Sequence, residues 1–197
     1  MKLQTFRPLA ALLVLLVAGA AHAHTETAAA NGFVAGFLHP LLGPDHLLAM
    51  VAVGIWGAAL GAPLIWALPV VFPLLMVAGG ILGIAGVPMP LVEAGIAVSV
   101  ILLGLAILAA WRAPMAVALV LVALFGVLHG HAHGTELPTA ASPAAYATGF
   151  VLCTGLLHLG GIALGLLHDL PRGAAVLRGI GGAMAAAGVW FLVGTMG

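Results

Sequence analysis

Six apolar stretches, each long enough to cross a bilayer as a helix, follow one another along this chain with only short interruptions. They run over 33–60, 64–86, 90–110, 114–131, 145–168 and 174–196. The breaks hold glycine, proline and charge: Gly61-Ala62-Pro63, Val87-Pro88-Met89-Pro90, Trp111-Arg112-Ala113-Pro114, the longer 132–144, and His168-Asp169-Leu170-Pro171-Arg172-Gly173. In hydrocarbon a backbone must satisfy its own hydrogen bonds, and for segments of this length the α-helix does so. The expected fold is an all-α integral membrane protein, a six-helix transmembrane bundle. Composition agrees, since 64% hydrophobic and 5% charged residues cannot coat a 197-residue globule in water. No basic face exists to hold nucleic acid, so the partners to expect are the lipid bilayer and a small solute.

Residues 1–23 read as a cleavable signal peptide. Lys2 and Arg7 precede an apolar run from Leu9 to Ala20 that ends in Ala21-His22-Ala23, a small-residue cleavage pattern. An uncleaved first helix is the alternative, but the run is shorter than the roughly 20 residues of a span. Cleavage leaves 24–197 as one six-span unit with His24 at its outer terminus. Arg112, Arg172 and Arg178 then all fall on the cytoplasmic side, and both mature termini face the periplasm. The lone Cys153 excludes an internal disulfide and a cysteine-based metal cage.

Against this background the stretch HPLLGPDHLLAM, residues 39–50, is costly: an ionised Asp45 at helix depth costs roughly 2.5–3.5 kcal/mol on insertion scales. On a straight helix His39 and His46 would share a face about 10.5 Å apart, too far to serve one ion. The prolines change that. Pro40 and Pro44 have no N–H to donate, so the first helix should be broken between them, with Gly43 adding freedom. Broken helices at membrane depth line cavities and ion sites, and a break can carry His39 toward Asp45 and His46. A kink whose polar groups only bond neighbouring helices is the plainer alternative.

A second cluster, LHGHAHGTE, residues 128–136, lies at the outer end of the fourth stretch. If helical, His129, His133 and Glu136 fall within about 60 degrees of one face and His131 points away. Histidines at i and i+4 chelate metal well, and Glu136 can act as ligand or as orienter. Lesser candidates surround these six. His24 offers an imidazole and a free amine after cleavage; Glu93 can join the outer site or complement a helix N-terminus; His131 stands beside the pair; and His158 lies alone deep in the fifth stretch, as a step beyond capture or as an interhelical hydrogen bond. Met50 reads as packing, and His168 with Asp169 as an interfacial loop.

The two motifs, His39-Pro-Leu-Leu-Gly-Pro-Asp45-His46 and His129-Gly130-His131-Ala132-His133-Gly134-Thr135-Glu136, resemble those of the HupE/UreJ family of hydrogenase and urease accessory membrane proteins. The resemblance covers nearly the whole chain, and one departure is Leu128, where the family pattern has Phe. It implies a permease of the bacterial inner membrane for nickel, or cobalt, using His39, Asp45, His46, His129, His133 and Glu136. It implies no prosthetic group, and it suggests hydrogenase or urease maturation machinery as a partner. Imidazole and carboxylate donors without thiolate suit such a borderline divalent ion, although zinc would accept the same atoms. The competing functions are an intramembrane metalloenzyme with Glu136 as general base, against which the chain lacks an H-E-x-x-H arrangement, and a metal-binding accessory protein that does not transport. A G-x-x-x-x-G-K-[ST] nucleotide motif is missing, so ATP hydrolysis by this chain is not the driver.

Overall fold

The computed structural model describes residues 32–137 and 143–196. The expected signal peptide, 1–23, and His24 lie outside the described residues. Each apolar stretch forms a helix, except the first, which forms two. These are α1 (Gly32–Leu42), α2 (Pro44–Leu60), α3 (Leu64–Ile84), α4 (Val92–Leu108), α5 (Met115–Thr135), α6 (Pro143–Gly165) and α7 (Gly173–Gly194), with a 3₁₀ turn, Leu166–Asp169, after α6.

The break in the first stretch lies at Gly43, between the two prolines. Gly43 is extended (φ −91°, ψ 103°), and Pro44 opens α2 in the first helical turn, where its missing N–H is no loss. The last turn of α1 ends in a long bond from the Gly43 N–H to the His39 carbonyl, 3.4 Å, and α2 begins as the Leu47 N–H donates to the Gly43 carbonyl, 2.9 Å. The axes of α1 and α2 meet at 81°.

By length and composition, α3, α5, α6 with its 3₁₀ extension, and α7 can each cross a membrane, and the bent α1–α2 pair passes as one broken span. The remaining apolar helix, α4, has 17 residues, about 25 Å at the α-helical rise, and is shorter than the other four. Exposed apolar side chains are ordered along the helices. Trp66, Val70, Leu74, Val77, Ile81 and Ile84 of α3 form one outward stripe, which in water would be an aggregation face and in lipid is the natural surface.

Three partnerships organise the bundle: α3 packs on α5, α4 on α7, and α1 and α2 together on α6. Small residues permit the approach. A Cβ added at Gly126, Gly130 or Gly134 of α5 would run into the backbone of α3 at Phe72, Met76 or Gly80, and one at Gly79 or Gly83 would meet Val127 or His131 in return. This contact carries α5 four residues past the helix end expected at 131, through to Thr135. The run His131-Ala132-His133-Gly134 has the composition of a loop, yet it stays helical, with Gly134 lying against Gly80 of α3.

The two ends of the bundle differ in chemistry. Asp45 and Glu93 share a cavity of about 350 Å³ with Thr195 at one end. At the other, Arg112, Arg178 and His168 line a cavity of about 170 Å³ beside Trp56 and Trp111. The two indoles stack with centroids 5.8 Å apart, and the Trp56 Nε1–H donates to the Trp111 carbonyl, 3.0 Å.

Candidate metal site

The bend at Gly43 decides which side chains meet. It leaves His39 on α1 and His46 in the first turn of α2 both beside His133 of α5, with ring centroids 4.7 Å and 4.4 Å from it. The His46 ring is also 5.0 Å from that of His129, one turn deeper on α5. Four imidazoles from three helices thus converge.

Glu136 closes the outer side. As the C-terminal cap of α5 it sets Oε2 3.2 Å from His39 Nε2 and 3.9 Å from His133 Nδ1. One donor atom from each of His39, His133 and Glu136 lies within 4.8 Å of the other two, a spacing that one ion can draw together. Burial is graded across this group. The Glu136 side chain is 52% exposed and that of His39 33%, against 6% for His133, while His129 is wholly buried.

The inner donors are held by neighbours that fix which nitrogen is free. Asp45 Oδ1 accepts from both the His46 backbone N–H, 2.9 Å, and the ring Nδ1, 2.8 Å, which leaves Nε2 buried without a protein partner. The Nδ1–H of His129 donates to the Phe125 carbonyl, 2.8 Å, and again Nε2 is buried and unpartnered. Both nitrogens of His133 are buried with no hydrogen bond. Such groups are expensive when left empty-handed, and a carboxylate or carbonyl on the far nitrogen is the usual support of a metal-binding histidine.

His131 behaves differently. It turns away from the cluster, and its Nε2–H donates to the Val87 carbonyl at 2.8 Å, tying α5 to the loop after α3. Glu93, in the first turn of α4, lines the outer cavity together with Asp45. His158 is buried in α6, and the Phe72 ring neighbours both it and His129, 5.4 Å from His158 and 5.2 Å from His129. His168 and Asp169 form an exposed pair, 3.0 Å, in the 3₁₀ turn at the opposite end. The Leu128 side chain lies against Gly95 of α4, and Phe125 fills the core one turn earlier.

Aromatic residues that the motifs do not contain wall the cluster. Phe150 sits 4.1 Å from His133, and Tyr146 is 5.9 Å from His39 with its hydroxyl buried and unpartnered.

The family model described as HupE / UreJ protein matches residues 12–191. Among curated proteins the chain is similar to Protein HupE of Rhizobium leguminosarum bv. viciae, 43% identical over 183 residues, which cover 93% of this chain and 95% of the relative. No solved structure matches.

Proposed function

This chain belongs to the HupE/UreJ family, and from that premise and the geometry of the histidine cluster we propose that it is a secondary-type permease carrying a divalent transition-metal cation, nickel or cobalt, from the periplasm to the cytoplasm. Proteins of this family are accessory or transport proteins rather than enzymes. In the proposed arrangement the signal peptide is removed, six spans cross the inner membrane with both termini outside, and the arginine-lined end faces the cytoplasm.

The observation that carries the reading is the bend at Gly43, which leaves the rings of both His39 and His46 within 5 Å of that of His133. A hydrated cation arriving from the donor-rich end meets Glu136 and His39 first, where exposure lets it keep part of its water. Moving inward it exchanges water for His133, His46 and His129, whose free nitrogens are already aimed. Nitrogen and carboxylate donors favour a borderline ion over magnesium or calcium, which prefer all-oxygen shells. Asp45 acts through His46, and it also offsets the positive charge of the ion in a low dielectric. The delivered metal would serve hydrogenase or urease maturation.

Uptake of radiolabelled nickel into sealed proteoliposomes, run against cobalt and zinc, tests this directly. A permease accumulates counts inside the vesicle. An accessory protein that only holds metal binds nickel without moving it, and that result would overturn the proposal.

A further inference from the structure

Arg112, in the loop after α4, and Arg178, in the second turn of α7, line one cavity of about 170 Å³ at the end of the bundle away from the histidine cluster. The guanidinium of Arg178 is placed by its Nε–H, which donates to the carbonyl of Leu108, the last residue of α4, at 2.8 Å. That bond leaves the Nη groups of Arg178 to other partners. Arg112 follows Trp111, which is held by stacking on Trp56 and by accepting from the Trp56 Nε1–H. Both arginines are exposed, and among the described residues neither pairs with a carboxylate. The acid of that end, Asp169, lies 3.0 Å from His168 Nε2 instead. Two cations on one cavity without a counter-charge repel each other and favour an anion between them.

The wall of this cavity is shared. Trp56, Ala106 and Trp111 also border a second cavity of about 440 Å³, between α4 and the start of α5. Apart from the two indoles its lining is wholly apolar, and Leu102, Leu105 and Val117 in it are exposed on the outside of the bundle. A basic cavity therefore adjoins an apolar one, with an indole pair common to both. A ligand that is anionic at one end and hydrocarbon along the rest matches the two together. Tryptophan is at home at the level of lipid headgroups, and basic pockets between spans hold anionic ones.

We propose that Arg112 and Arg178 form a binding site for an anionic phospholipid, its phosphate held by the two guanidiniums and an acyl chain laid in the apolar cavity beyond Trp56 and Trp111. Arginine suits the phosphate because its planar fork presents paired donors. A zwitterionic lipid would bring an ammonium group up to two arginines, so the net negative headgroup is the one selected. Arginines at this end also bias the orientation of the chain in the membrane, but that role requires no shared cavity. Arg172 supplies the comparison, since it lies at the same end and outside the wall of the cavity. The site stands apart from the histidine cluster, and the inference does not depend on what the protein transports.

The test measures thermal unfolding of the full chain in neutral detergent during titration with phosphatidylglycerol, phosphatidylcholine or inorganic phosphate, with bound lipid counted by native mass spectrometry. Phosphatidylglycerol should raise the midpoint by several degrees, as a ligand well above its dissociation constant does, and phosphatidylcholine and inorganic phosphate should not. Arg112→Gln keeps a polar side chain, removes the charge and should abolish the shift and the bound lipid. Arg178→Gln should do the same, and if it fails to fold for want of the bond to Leu108, Arg112→Gln decides alone. Arg172→Gln should keep the full shift. An equal shift with phosphatidylcholine would overturn the anionic site, and one with inorganic phosphate would reduce it to a site for free anions. Retention of the shift in Arg112→Gln, or its equal loss in Arg172→Gln, would overturn the cavity as its place.

Discussion

His39 and Glu136 are 97 positions apart in sequence, yet Nε2 of the first lies 3.2 Å from Oε2 of the second. The contact exists because α1 turns away at Gly43 while α5 stays helical to Thr135. It joins the two motifs at the exposed rim of the cluster.

Because Glu136 is half exposed and touches two imidazoles, its charge should matter most for capture. Glu136→Gln preserves shape and removes the charge. Nickel uptake at limiting concentration should fall about 10- to 100-fold, and saturating nickel should restore much of the rate. The concentration dependence of initial uptake checks this; a lowered maximum rate with unchanged half-saturation would place Glu136 deeper in the path than its exposure indicates.

Asp45 presents one oxygen twice to His46, once to the backbone N–H and once to ring Nδ1. Asp45→Asn retains an oxygen that can accept from Nδ1–H, whereas Asp45→Ala leaves the ring free to turn and an unpaired Nδ1 in a buried site. Uptake should be abolished in the Ala variant and weakened in the Asn variant, both proteins remaining in the membrane by immunoblot. Equal, near-normal uptake in the two would show that His46 needs no orienting partner.

How much of this was legible in the sequence follows from what each residue type can signal. Pro40, Gly43 and Pro44 announce a break because the missing N–H groups cannot be hidden by any fold, and the structure puts it at Gly43. His129, His133 and Glu136 announce a shared face because helical spacing is local. The separation of His131 follows from the same spacing, but its bond to Val87 depends on where the loop after α3 returns, which nothing local encodes. Phe72, Phe150 and Tyr146 were invisible as site residues, since an aromatic ring in an apolar helix reads as core until its neighbours are known. The apolar run ends at 131, and whether the helix continues through His133 is open in the sequence, because histidine and glycine carry little helical signal; tertiary contact with α3 decides it.

His129 and His131 are two residues apart and should separate cleanly. His129→Ala removes a donor whose free nitrogen faces the cluster, so uptake should drop about 10- to 100-fold. His131→Ala removes one hydrogen bond to a loop and should cost about 1 kcal/mol of stability while uptake persists. Thermal inactivation in detergent and uptake in vesicles, measured on both variants, distinguish the two roles. Equal losses of uptake would mean that the ring of His131 turns toward the ion.

The α3–α5 contact sets the height and rotation of His129 and His133, so its glycines should control function at a distance from any donor atom. A Cβ at Gly130 would fall on the Met76 carbonyl, which cannot yield as a flexible side chain could, so Gly130→Ala must push the helices apart. Overpacking of this kind costs typically about 1–3 kcal/mol. Gly155 on α6 is the matched control, because nothing lies within 4 Å of the Cβ it would gain. Gly155→Ala should therefore be neutral or slightly stabilising through helix propensity. Gly130→Ala should melt several degrees lower and lose uptake in parallel, since His129 is the adjacent residue and must follow its backbone. If both variants melt and transport alike, α3 and α5 are not clamped at this point, and the alignment of the imidazoles must come from α6 pressing α1 and α2 against them.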